Sequence, residues 1–144
     1  MKTINMDTPV GSEFTGHTKM VTSLSTWLFS GGWPPGDQWP ARNIHTDEEF
    51  AKTCGLNERN AAGAMLEGYI SELMVDMFGD EWLSMGSYKV KFIRTVSVGG
   101  SIVSKAKVVS RVQRDNDLIL ELYLWCENEY GDKVLTGVGS GRVS

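Results

Sequence analysis

The chain has 144 residues, a formal charge of −4 and ordinary apolar (41%) and charged (22%) fractions. That length suits one domain with a sizeable core, spanning residues 1–144, and no linker, repeat or low-complexity tract divides it. An acidic balance without a Lys/Arg cluster argues against nucleic acid, no apolar run is long enough to span a membrane, and two histidines exclude a multi-histidine metal site.

In chain order, residues 1–13 are polar and read as a loose N-terminal segment. They lack the apolar core of a signal peptide, so the cytoplasm is the expected compartment. Cys54 and Cys126 match no metal or redox spacing and read as free thiols. Phe14 to Val21 suits a first strand, and His17 on it reads as surface. Ser23 to Ser30 suits a short helix capped by Thr22 or Ser23 and stopped by Gly31-Gly32. Trp33 to Arg42 holds Pro34, Pro35, Gly36 and Pro40, which forbid regular structure. Its tryptophans, Trp33 and Trp39, either seal the edge of the core or wall a ligand pocket.

Thr46-Asp47-Glu48-Glu49 has the form of a capping box, with Thr46 at N-cap and Glu49 three residues on. Gly55 ends that short helix. A long helix follows from Asn60 to Phe78, ended by Gly79. Ala62, Met65, Leu66, Tyr69, Ile70, Leu73, Met74, Met77 and Phe78 recur at helical spacing and mark its core face. Gly63, Ala64, Glu67 and Gly68 lie opposite. Each interior glycine costs about 1 kcal/mol relative to alanine, which predicts close approach to a ligand, a strand or another subunit. Strands follow at Tyr88–Ile93, Ile102–Val112, Leu118–Trp125 and Lys133–Val143, with turns rich in Gly, Asn and Asp. The fold class is α+β, an antiparallel meander packed on a long helix.

Four pieces resemble a known family: Phe29-Ser30-Gly31, Asn43 through Ala51, Ala62-Gly63-Ala64-Met65, and Lys91 through Gly99. They are similar to the MaoC-like hot-dog group, which includes (R)-specific enoyl-CoA hydratases and 3-hydroxyacyl-thioester dehydratases. The resemblance covers about Thr18 to Val143. It implies a hot-dog fold, an antiparallel sheet wrapped around a long central helix, and a homodimer joined edge to edge. It implies an acyl-thioester substrate and a site near the dimer interface, with no metal or redox cofactor. The family motif is an Asp five residues before the His of Asn-Pro-(aliphatic)-His. Here Pro40 stands at the Asp position, Arg42-Asn43 replaces Asn-Pro, and Ala62 replaces the His before the helix glycine.

By this resemblance His45 is the acid/base and the Gly63 amide receives the thioester oxygen. The helper is Asp37, eight residues before His45, looped back to it, or Asn43, orienting water or His45. Asp37 also reads as a surface turn residue, and His45 as a structural one. Substrate-binding candidates are Trp33, Trp39, Ala62, Ala64, Glu67 and Tyr69. Glu67 is alternatively a surface charge paired with Arg59, Arg94 or solvent. Arg42, Arg59, Lys89, Lys91 and Arg94 are candidates for CoA phosphates, or plain surface charge. The resulting expectation is a lyase that dehydrates a 3-hydroxyacyl thioester or hydrates the enoyl form. Its rivals are a repurposed dehydratase, isomerase or cyclase on a bulky carrier-free intermediate, a non-catalytic ligand-binding or partner subunit, and a Glu67 thioesterase. The aromatic loop suggests a bulky substrate in a biosynthetic pathway.

Overall fold

The structure is a computed structural model that describes residues 3–34 and 36–143. Ten elements follow in order: β1 (Glu13–Thr15), β2 (Lys19–Met20), α1 (Ser23–Ser30), α2 (Glu48–Thr53), α3 (Gly63–Phe78), α4 (Glu81–Met85), β3 (Ser87–Phe92), β4 (Ser101–Arg114), β5 (Asp117–Asn128) and β6 (Lys133–Val143). The strands form one antiparallel sheet, ordered β1-β4-β5-β6-β3, with β2 also on β4. This is the expected α+β layout. Among the described residues no helix is long and apolar enough to cross a membrane.

Period-two alternation places Leu118, Leu120, Leu122 and Leu124 of β5 on the inner face, all buried. Against them α3 buries Met65, Leu66, Ile70, Leu73, Met74, Met77 and Phe78. The helix can lie this close because β6 presents Gly137, Gly139 and Gly141 at every second position. A Cβ on Gly141 would stand 2.6 Å from the Phe78 ring, and one on Gly139 would stand 2.7 Å from a Leu124 methyl. A Cβ on Gly137 would strike the Lys89 carbonyl of the neighbouring strand.

Several local expectations change. The first strand divides into β1 and β2, both on β4. Gly16 at the break lies so near Ser104 that a Cβ there would sit 2.5 Å from the Ser104 hydroxyl. Residues 3–13, expected to be loose, make specific contacts. Ile4 is buried, its N–H donates to Met77 O (3.3 Å), and Arg111 donates to Met6 O (2.6 Å). Helix α3 starts at Gly63 and not at Asn60, because residues 59–61 are extended. Ala61 N–H donates to Val96 O (2.7 Å), Val98 N–H donates to Arg59 O (3.0 Å), and Asn60 bridges to Ser97. Helix α4 is an addition too short to show a period. Tyr69 and Ala62 are half-buried, at the margin of the expected core face.

Both cysteines are free; Cys54 is exposed and Cys126 is buried. Burial pushes the Cys126 thiol up to about 12, so it carries almost no thiolate at neutral pH. An aromatic disulfide reagent at pH 8 is expected to titrate one thiol in native protein and two after denaturation. Fast reaction of two thiols without denaturant would contradict the packing around β5.

Candidate active site

His45 lies in the irregular connection between α1 and α2, and local hydrogen bonds define its position. The Asn43 side chain accepts from His45 N–H (2.9 Å) and donates to Ser30 O (2.8 Å) and Ala41 O (3.2 Å). This Asx-type turn is a conformation that Asn favours. Buried Thr46 closes the loop from the other side: its hydroxyl donates to Ala41 O (2.6 Å) and accepts from Asn43 N–H (3.0 Å). Thr46 is therefore not the helix cap. Asp47 takes that place, accepting from Phe50 N–H at 2.6 Å. That bond, with Arg42 beside it (3.2 Å), holds the Asp47 carboxyl below the usual carboxylate range.

Among the described residues the half-buried His45 ring has one hydrogen-bond partner, the Asn60 carbonyl, 2.8 Å from Nδ1. A carbonyl only accepts, so in the neutral ring Nδ1 carries the proton and Nε2 keeps a free lone pair. Asn60 is fixed in turn by its bridge to Ser97. Three residues on, α3 opens at Gly63. Its N-cap is Ala62, which has no side chain able to cap, so the first-turn amides receive no bond from the cap residue. A groove of about 250 Å³ runs along this stretch between Ala61, Gly63, Leu66, Phe92, Arg94 and Val96. Gly63 lies close under a neighbour: a Cβ would stand 2.9 Å from the Phe92 ring, which would have to shift. Phe92, half exposed above Gly63, was not among the sequence candidates. Its position at the end of β3 says nothing about α3 until the sheet is folded. The Asn60 carbonyl was missed because backbone atoms leave no sequence signal.

The other candidates separate. Asp37 is in an exposed turn, and no hydrogen bond joins it to His45 among the described residues. Trp33 is 87% exposed. Trp39 packs edge-on against Trp27, ring centroids 6.1 Å apart, and supports the loop. Glu67 is half-buried on α3, and the pairs suggested for it do not form: Arg59 donates to Ser23 (2.9 Å) and Arg94 approaches Asp132 (3.7 Å). Ala64 is exposed beside Gly63. Tyr69 lines a separate groove with α1, and burial there pushes its phenol up, so it stays a neutral donor. Of the five cations considered for CoA phosphates, Arg42 is engaged by Asp47 and Phe50, while Lys89 and Lys91 point out from edge strand β3.

The model of the MaoC like domain matches residues 36–121. No curated protein matches the sequence. Solved structures do match in fold. A MaoC-like dehydratase from Rhodospirillum rubrum is 18% identical, with a TM-score of 0.76 over 95% of this chain and 93% of that one. An R-hydratase from Pseudomonas aeruginosa is 20% identical, with a TM-score of 0.72 over 93% and 81%. An (R)-hydratase from A. caviae involved in PHA biosynthesis is 18% identical, with a TM-score of 0.70 over 94% and 96%. The fold is thus the hot-dog arrangement, and the chain belongs to the MaoC-like domain family of dehydratases and hydratases.

Proposed function

We propose that the protein is a lyase that interconverts a 3-hydroxyacyl thioester and its enoyl form, with His45 as the acid/base. The observation that carries this reading is the Nδ1 bond to the Asn60 carbonyl (2.8 Å), which anchors the ring three residues ahead of the uncapped start of α3 and leaves Nε2 as a base. In dehydration Nε2 takes the α-proton, and the electron pair moves onto the thioester oxygen, which accepts from the Gly63 N–H. Collapse of the enolate forms the Cα–Cβ double bond and breaks the Cβ–O bond. The leaving hydroxyl takes a proton, from His45 or from Asp37 if the loop brings it near, and departs as water. Hydration is the reverse.

The working form in this reading is a homodimer joined through β3, whose outer edge is unpaired in the sheet. The supporting test is turnover by purified wild type on enoyl and 3-hydroxyacyl thioesters, beside Asp37→Asn and Glu67→Gln. Absence of turnover on every thioester would refute it. Loss in Asp37→Asn would assign the helper, and loss in Glu67→Gln with thioester hydrolysis would favour a thioesterase. Asn43→Ala removes the Asx turn without touching the imidazole. It is expected to lower kcat about 10- to 100-fold by misplacing the base, with KM within about twofold. An equal fall in Asn43→Ala and Asn43→Asp would speak against positioning, since Asp keeps the acceptor for His45 N–H.

The second reading, a non-catalytic partner subunit, draws on Pro40 standing where the family has its Asp. Turnover by the homodimer alone would remove it.

A further inference from the structure

The ring of Phe92 stands beside the amide that the chemistry uses. A Cβ on Gly63 would lie 2.9–3.3 Å from the three atoms at the tip of that ring, closer than the roughly 3.5–4.0 Å at which carbon atoms pack. A Cβ is about 2.5 Å from its own amide nitrogen, so the ring tip is within about 5.4 Å of Gly63 N. The direction agrees with the distance. In an α-helix both the N–H and the Cα–Cβ bond lean toward the N-terminus. An oxygen that accepts from Gly63 N–H therefore lies on the side of α3 that Phe92 occupies.

The deeper walls of this groove are fixed. Leu66 and Val96 are 3% and 5% exposed. Ala61 is tied to Val96 by its N–H (2.7 Å), and Arg94 and Thr95 stand exposed at the rim. The Phe92 ring is 46% exposed. Its backbone is held, because Phe92 pairs with Leu135 on β6 and the next N–H, of Ile93, donates to Val134 O (2.9 Å). The strand fixes where the side chain starts, and the length of the side chain sets how wide the groove is. At about 250 Å³ the groove is smaller than most small-molecule sites, which suits a thioester and the first carbons of its chain.

We propose that Phe92 makes the site selective for thioesters that carry no branch at Cα. The proposal rests on the thioester reading and names the substrate class for it. In the enoyl form the carbonyl, Cα and Cβ are conjugated and coplanar. A methyl group on Cα projects in that plane, about 1.5 Å beyond Cα. It widens the group held at Gly63 N–H in the space that the ring tip bounds, whereas a linear chain needs no such width. One methylene too many in an apolar pocket shifts specificity by about 10- to 200-fold.

The test measures kcat/KM for but-2-enoyl-CoA and 2-methylbut-2-enoyl-CoA in wild type, Phe92→Ala and Phe92→Leu. Leucine keeps an apolar end on β3 and removes the ring tip, so it carries the test if the alanine variant does not fold. Wild type is expected to prefer the linear thioester at least tenfold. The ratio of branched to linear kcat/KM is expected to rise at least tenfold in the variants. Turnover of the branched thioester as fast as the linear one by wild type overturns the proposal. An unchanged ratio in the variants also overturns it, and would leave Phe92 a packing residue. If wild type turns over neither thioester, the lyase reading fails, and Phe92 is judged by calorimetric titration with butanoyl-CoA and 2-methylpropanoyl-CoA. Tighter binding of the linear thioester by wild type, with the difference lost in Phe92→Leu, supports the proposal. Equal affinities in wild type, a difference that persists in Phe92→Leu, or no binding of either thioester overturns it.

Discussion

His45→Ala is expected to lower kcat/KM on an enoyl thioester by about 10²- to 10⁴-fold, the usual contribution of a positioned general base. The fold should survive. Among the described residues the imidazole makes one hydrogen bond, to Asn60 O, and losing it costs about 1 kcal/mol. Asn43 and Thr46 hold the loop through their own side chains, independently of the ring. His45→Gln separates chemistry from structure: its amide can still donate to the Asn60 carbonyl but cannot serve as a base. Both variants should therefore be inactive, with Gln melting nearer to wild type. Activity within threefold of wild type in either one would exclude His45 as the acid/base and leave it a structural residue of the loop.

Gly141→Ala is expected to destabilise the protein by about 3 kcal/mol, the upper part of the range for overpacking a dense core. A Cβ at 141 would stand 2.6–2.7 Å from three atoms of the Phe78 ring, and Phe78 is 1% exposed, with no room to withdraw. For a chain of this size that corresponds to a fall in Tm of roughly 10 °C. The same substitution at Gly68 should act in the opposite direction, adding about 1 kcal/mol by helix propensity, because nothing surrounds that position. Thermal melts of the two variants give the comparison. Equal shifts would mean that α3 does not lie against β6 as described.

The elements with a strong period were legible in the sequence. The apolar face of α3 and the alternation of β4 to β6 set both their type and their buried side. Tertiary pairing decided the others. Asn60, Ala61 and Ala62 are compatible with helix, but the backbone of residues 59–61 finds partners at 96–98, and α3 begins later. Thr46 and Asp47 are both able to cap a helix; the Ala41 carbonyl takes the Thr46 hydroxyl, which leaves the cap to Asp47. At the candidate site, His45 and Gly63 stand out only by resemblance to a motif. The carbonyl that orients His45 and the ring over Gly63 come from segments distant in sequence, so only the folded chain reveals them. The place of the loop tryptophans was open for a related reason: composition marks them as large and apolar but does not say that one faces solvent and the other faces Trp27.

The glycines of β6 have a consequence for how this sequence can change. Gly141 contributes no side chain to the layer it shares with α3, and Phe78 fills that space. Positions 78 and 141 therefore divide one fixed volume between a helix and a strand. A small residue at 78 should rescue an alanine at 141, so that Phe78→Leu with Gly141→Ala is more stable than the sum of the separate effects allows. Neither position drifts freely alone, and the two are expected to vary as a pair.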